Sequence, residues 1–481
     1  MRRVLLCALL SGCVSSSPGA LPPIKGPAQA RSADADVLEP LRPASGRFAL
    51  VGGTILDGLG GRIEGGTVLV EDGRITAVGP EVDVPSEMRT YDARGQFITP
   101  GIVDTHSHMG VYPVPFVPAH ADGNELTDPT TPYVFSEHAF WPQDPALQAA
   151  VIGGVTTIQV LPGSGNVIGG RSVVLKLRPR RAARAMRFPG APFGLKMACG
   201  ENPKRVYGEK GRQPGSRMGN IYKLRQAFIE AQAYRRAQRE YRDEFEAWKK
   251  KHDAAAEDPK APRPGEEPKS PKRDLGKETL AQVLEGDIRV HIHCYRADEM
   301  LQMIALGDEL GYQVTAFHHA VEAYKIADVL AERGIHAAVW ADWWGFKVEA
   351  YDSTEANAAI LSKLGGKPNI HSDSPIGVQR LNQEAAKAMA AGRHHGLETG
   401  PAEAIQWLTK NPAEALGVLE QTGTLEVGKM ADIVSWDADP FSIYAKTTRV
   451  FIDGELVFDR GRSDERWSDF LVGSEVEEDA P

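Results

Sequence analysis

The sequence has no apolar run long enough to cross a bilayer: the one near its start, Val4 to Leu10, is far shorter than the about 20 residues a membrane helix needs. It is poor in cysteine, with four in 481 residues, which argues against a disulfide framework. Cys7 and Cys13 fall in the first segment, so only Cys199 and Cys294 remain, expected as free thiols or packing residues. There is no basic excess either. Lys and Arg number 55 against 64 Asp and Glu, a net charge of −9 with pI near 5.9, whereas a protein that tracks phosphates presents a basic face. The charge argues against a nucleic-acid partner and says little about the substrate; the small-molecule partner is expected from the site residues.

What is present is histidine in telling places. In "FITPGIVDTHSHMG", His106 and His108 are two apart at the end of an apolar, β-prone run. Side chains at i and i+2 of a strand share a face, so both imidazoles project together, as two nitrogen ligands of one divalent cation do. Later strand-like runs deliver more ligand types at their ends: His293 in "DIRVHIHC", His318 and His319 in "YQVTAFHHA", Asp373 in "KPNIHSDSP" and Lys196 in "PFGLKMACGEN". His318 and His319 would point to opposite faces, so only one is expected as a ligand. His291 is read as one layer deeper than His293, His371 as packed below the site, and His394 and His395 as surface residues.

Eight strand-like runs can be counted, near 98–103, 156–161, 172–177, 193–198, 288–293, 313–317, 336–340 and 368–371. Helical patterns such as "ADEMLQMIALGDELG" fall between several of them, which predicts parallel βαβ units closed into a barrel whose site lies at the C-terminal strand ends. Short β-rich runs with Gly and Asp turns flank this region on both sides.

"GIVDTHSH", the strand-end histidines, "HSDSP" and the tail "LTKNPAEALG…GTLEVGKMADIVSWDADP" together resemble the amidohydrolase superfamily, in particular its imidazolonepropionase-like and prolidase-like branch. The resemblance implies an α/β fold: a (β/α)8 TIM-like barrel at 97–422, beside a small β-sandwich domain built from 47–96 and 423–465. It also implies a metal-dependent hydrolase of C–N bonds in amides or cyclic amides, acting through a metal-activated hydroxide. The alternatives are a prolidase-like metallo-dipeptidase and, from another class, a non-catalytic envelope binding protein on the same fold.

The implied cofactors are two divalent ions, zinc foremost. His106, His108 and Asp373 would hold one, and His293 and His319 the other, with His319 preferred over His318 on the family's pattern. Lys196 matches the lysine that is carboxylated in prolidase-like relatives, and the resulting carbamate would bridge the two ions; Glu201 is the rival bridge. Asp373 would also act as general base and then acid. Arg205, Tyr207 and Trp343 are the expected substrate-binding residues.

The start, "MRR", a short apolar run and "LSGC", resembles a bacterial lipoprotein signal over 1–13, with Cys13 lipidated and 14–46 a flexible tether. The expected location is the bacterial cell envelope, periplasmic or surface-facing, with the lipid as the only membrane contact. A charged insertion at about 217–275 is expected as a helical and then Pro-rich excursion, with a lid or a homo-oligomer arm as its sharper reading.

Overall fold

The structure, a computed structural model, describes residues 43–258, 260 and 262–462. The proposed signal, most of the tether and the last residues of the chain lie outside them.

The two ends of the chain meet in one sheet. In spatial order its strands are Glu455–Asp459, Thr447–Ile452, Ile433–Trp436, Phe97–Pro100, Arg47–Leu56, Arg62–Glu71 and Arg74–Gly79, with Arg89–Asp92 added on Arg47–Leu56. The expected β-sandwich is thus a single curled sheet of eight strands, not two separate ones. Arg47–Leu56 makes this curl. Its register shifts on either side of Gly53, so its first half takes Arg89–Asp92 and its second half takes Phe97 and Ile98. A Cβ on Gly53 would lie 2.7 Å from Ile98 Cδ1, so the bend needs glycine there. Phe48, Ile55, Val68, Ile98, Ile433 and Phe451 fill the inside, with Phe48 and Phe451 stacked 4.5 Å apart.

The run expected as the first barrel strand is divided at Gly101. Phe97–Pro100 pairs with Ile433–Trp436 in the curled sheet, while the barrel begins with β1 (Ile102–Ser107). The other barrel strands are β2 (Val155–Val160), β3 (Ile168–Lys176), β4 (Gly194–Ala198), β5 (Arg289–His293), β6 (Val314–His318), β7 (His336–Val339) and β8 (Lys367–Ile370), each paired with the next. Asp373 N–H donates to His106 O at 3.0 Å and brings the chain after β8 back to β1.

One strand departs from the parallel expectation: β3 runs antiparallel to both β2 and β4. The physical reason is the connection. Residues 161–167 hold no helix and turn the chain straight back, and so short a link can join only antiparallel strands.

The cysteine expectation is also corrected: Cys199 and Cys294 form a disulfide. Ala198 and His293 are register partners on the parallel strands β4 and β5. The next residue of each strand is a cysteine, with Cα atoms 5.3 Å apart, within disulfide reach. A count of cysteines carries no such information, because the pairing is set by register across 95 residues of chain.

The insertion is a helix, Arg217–Glu257, capped by the Ser216 side chain. Leu224, Phe228 and Ala231 recur on one buried face, and Phe228 stacks on Tyr312 at 4.6 Å. Arg217, its first residue, pairs with Glu299 at 3.0 Å and with Glu349, which ties the helix to the loop after β7.

Candidate metal centre

The C-terminal ends of the parallel strands converge on a buried set of imidazoles. His106 Nε2 lies 3.2 Å from His108 Nε2 and 3.5 Å from Asp373 Oδ1, and His108 Nε2 is 3.2 Å from the same oxygen. These three residues form one group with the spacing of a metal site; His106, His319 and His371 form a second. His371 Nε2 is 3.1 Å from His319 Nδ1, and His319 Nε2 is 3.9 Å from Asp373 Oδ2. Lys196 Nζ lies 3.4 Å from His106 Nε2, the nitrogen that faces the whole donor set. The His293 ring sits 4.5 Å from the His319 ring, outside both groups.

Backbone geometry places two of these residues. His319 (φ 67°) and Asp373 (φ 49°) are among only four non-glycine residues with left-handed φ in the described chain. Each lies past the end of its strand, and at His319 the left-handed residue brings into the centre a side chain that strand alternation would not place there. Such backbone costs about 1–3 kcal/mol per residue and persists where the surroundings enforce it. His318, still in β6, points below the centre instead.

Burial sets the electrostatics. It holds His106, His293, His318 and His319 well below the ordinary histidine value, and takes His371 to about 4. All are therefore neutral near pH 7, with a ring lone pair to give. Burial also lowers the Lys196 ammonium to about 7. Burial pushes the Asp373 carboxyl up, but the His108 hydrogen bond and the pull of His108, His371 and Lys196 outweigh it and leave it below its ordinary value. His293 Nδ1 is buried without a hydrogen-bond partner. Neutral nitrogen donors, one carboxylate and an orphaned ring nitrogen suit zinc-like divalent ions.

Not every expected residue is brought together. Glu201 instead lies 3.5 Å from Lys347 Nζ, outside both groups. Tyr207 is fully buried and donates from its hydroxyl to Asp128 O at 2.7 Å, so it is no substrate contact; helix Glu201–Gly208 turns Pro203 and Tyr207 inward together. Arg205 is exposed on the other side of that helix. Trp343 does stand near the centre, through a stack. It lies 5.3 Å from Trp340, whose ring is 4.5 Å from His371 and 4.6 Å from His319.

Sequence reasoning set aside His371 and passed over Asn202 and Tyr295. Asn202 Nδ2 is 3.4 Å from His293 Nε2, and the Tyr295 ring stacks on His319 at 5.4 Å. For His371 the signal was available: it shares strand parity with Asp373. Asn202 gave none. A cavity of about 190 Å³ reaches His371 between Trp343 and Arg380, and another of about 480 Å³ opens beside Glu201 and Glu349.

The barrel carries a nitrogen-rich centre at its C-terminal strand ends, and comparison with known proteins gives its class. The profile of the amidohydrolase family matches residues 97–457, and the chain belongs to that family. At the level of class it is a hydrolase acting on carbon–nitrogen bonds. It is 36% identical over 411 residues to an amidohydrolase, tasK, of Hapsidospora irregularis, covering 82% of this chain; the chain spans only 40% of that protein's length. It is 26% identical to an imidazolonepropionase of Symbiobacterium thermophilum, covering 83% of this chain and 92% of that one. Among solved structures, an amidohydrolase from Thermotoga maritima superposes with a TM-score of 0.73 at 34% identity, over 86% of this chain and all of that one.

Proposed function

We propose that this chain hydrolyses the C–N bond of small amides or cyclic amides with two divalent metal ions, zinc foremost. The observation that carries this is the convergence of His106, His108, His319, His371 and Asp373 on one buried space with Lys196 at its shared imidazole. His106, His108 and Asp373 would hold one ion; His293 and His319, with His371 beside them, would hold the other. When bound, such ions polarise a substrate carbonyl and bring the pKa of water down to roughly 7.

The chain's own residues supply the rest. Lys196 suits carboxylation, because an ammonium lowered to about 7 exposes the neutral amine, which forms an N–C bond to carbon dioxide and gives up one N–H proton to solvent. The carbamate gains a negative charge and two oxygens, where an ammonium would repel cations. The engagement of Glu201 with Lys347 favours Lys196 as the bridge. Asp373 is the proton acceptor and returns the proton to the leaving nitrogen. The stacked Trp340 and Trp343 offer an apolar wall to the substrate. A full donor set speaks for catalysis over a binding role alone.

The test is metal analysis of the purified protein with a screen of N-acyl amino acids, dipeptides and cyclic amides. Close to two ions per chain and turnover of one substrate class are expected. No bound metal after purification without chelator and with zinc resupplied would remove the proposal.

The envelope location is likewise a proposal. Cys13 lies outside the described residues, but the Cys199–Cys294 disulfide suits an oxidising compartment. Cys13→Ala is expected to leave the membrane fraction with activity intact; a variant still in that fraction would refute the anchor.

A further inference from the structure

A ligand imidazole is oriented through its second ring nitrogen, and at His108, His371 and His106 the structure holds that nitrogen in two ways. His108 Nδ1 faces the Leu161 carbonyl at 2.8 Å, and His371 Nδ1 faces the Val339 carbonyl at 3.1 Å. A carbonyl only accepts, so these tautomers are fixed by the backbone. His106 is different. Its Nδ1 lies 3.0 Å from His318 Nδ1, and His318 Nε2 lies 3.0 Å from His291 Nδ1. All three rings are fully buried.

The chain leaves one consistent arrangement once His106 Nε2 gives its lone pair to a cation. His106 Nδ1 then carries the proton and donates it to His318 Nδ1. His318 must be protonated on Nε2 and donates to His291 Nδ1, and His291 must be protonated on Nε2. That last N–H is buried without a partner. The His291 ring lies beside Gly194 with Ser172 and Gln159, a polar layer of the barrel interior, where bulky aliphatic side chains are the norm. Gln159 Oε1 is also buried and unpartnered. Gly194 keeps the layer close. A Cβ there would overlap Ser172 Oγ and lie 2.7 Å from Gln159 Nε2 and 2.9 Å from His291 Cδ2, so the Ser172, Gln159 and His291 side chains crowd the same glycine.

We infer that His318 and His291 are positioning residues of the metal centre: an imidazole relay that fixes the His106 tautomer from a polar layer two strand positions below the site. The inference rests on the metal-dependent reading above. Neither residue is a ligand; each acts on the cation through His106. Because the tautomers are linked along the chain, removing either link loosens the hold on His106.

The experiment uses the full-length protein, stripped of metal and titrated with zinc against a chelator, and separately loaded with cobalt for its visible spectrum. The variants are His291→Asn, His318→Asn and the double. Each single change is expected to weaken one zinc site by about 10–100-fold, the usual cost of losing an outer hydrogen bond to a ligand histidine. The double is expected to lose no more than the worse single, and the cobalt bands should shift alike in all three. Wild-type zinc affinity and cobalt spectrum in His291→Asn overturns the relay, as do additive losses. A lowered melting temperature of the metal-free variant with an unchanged cobalt spectrum overturns it too, since that marks packing alone. Should His318→Asn not fold, His291→Asn decides. Absence of zinc from the wild-type protein would instead sink the functional reading, and the relay with it.

Discussion

Two buried clusters of charge-bearing side chains occupy opposite ends of the barrel, and they are satisfied in opposite ways. At the lower end, Lys176 lies 2.9 and 3.0 Å from the two oxygens of Asp432 and also pairs with Asp453. Arg178 pairs with Asp453 and Glu455, Thr422 donates to Asp432 at 2.7 Å, and the Asp453 N–H donates to Asp432 at 2.9 Å. Cations meet carboxylates, and the network stitches reversed β3 to the curled sheet. At the upper end, Lys196 has no carboxylate within ion-pair distance among the described residues, and imidazoles face one another with a ring nitrogen left over. Complete pairing marks the lower cluster as structural. Incomplete pairing at comparable burial marks the upper one as kept for a ligand.

The largest expected effect lies at the upper cluster. Asp373→Asn keeps the shape but removes the charge and the proton acceptor. Turnover should fall by at least about 10²-fold, while elemental analysis should show a smaller metal loss than in His106→Ala. Full metal with near-normal turnover would move the proton elsewhere.

Next in size is Lys176→Met, which leaves buried Asp432 without its cation and Asp453 with Arg178 alone. Breaking a buried pair costs about 3–5 kcal/mol, to be read from denaturant unfolding, with turnover per folded molecule retained. If stability is unchanged, the lower network is not the stitch described here.

The same substitution at the other lysine should have the opposite sign. Lys196→Met removes a buried amine that has no carboxylate partner, so the metal-free fold should be as stable as wild type or more so, while activity and the occupancy of one metal collapse. Lys196→Ala should likewise lose both and be partly rescued by a short carboxylic acid standing in for the carbamate. Wild-type activity in either variant would return the bridge to Glu201. The smallest effect is in pH. The Lys196 amine is near 7 in the fold and 10.5 when exposed, so within that window the unfolded chain binds the extra proton. Metal-free wild type should therefore gain stability as pH rises from about 7 to 10.5, relative to Lys196→Met. Parallel stability curves for the two proteins would contradict the lowered amine.

Much of the upper cluster was legible because strand periodicity and local motifs are short-range. The i, i+2 spacing of His106 and His108, and Asp373 and Lys196 near strand ends, follow from alternation alone. The choice of His319 over His318 came from family pattern, and the left-handed φ of His319 shows why alternation could not make it. Tyr207 failed because the residues after β4 fold as a helix, which turned that side chain into the core.

The sequence by itself determined the barrel's strand runs, most of the donors and the acidic, cysteine-poor character of the chain, since each is written within a few neighbouring residues or in composition. Only the tertiary structure decided the Cys199–Cys294 bond, the reversal of β3, the entry of His371, and the contacts from His106 through His318 to His291. These depend on which strands lie side by side and in what register, and register is set by packing across the whole barrel.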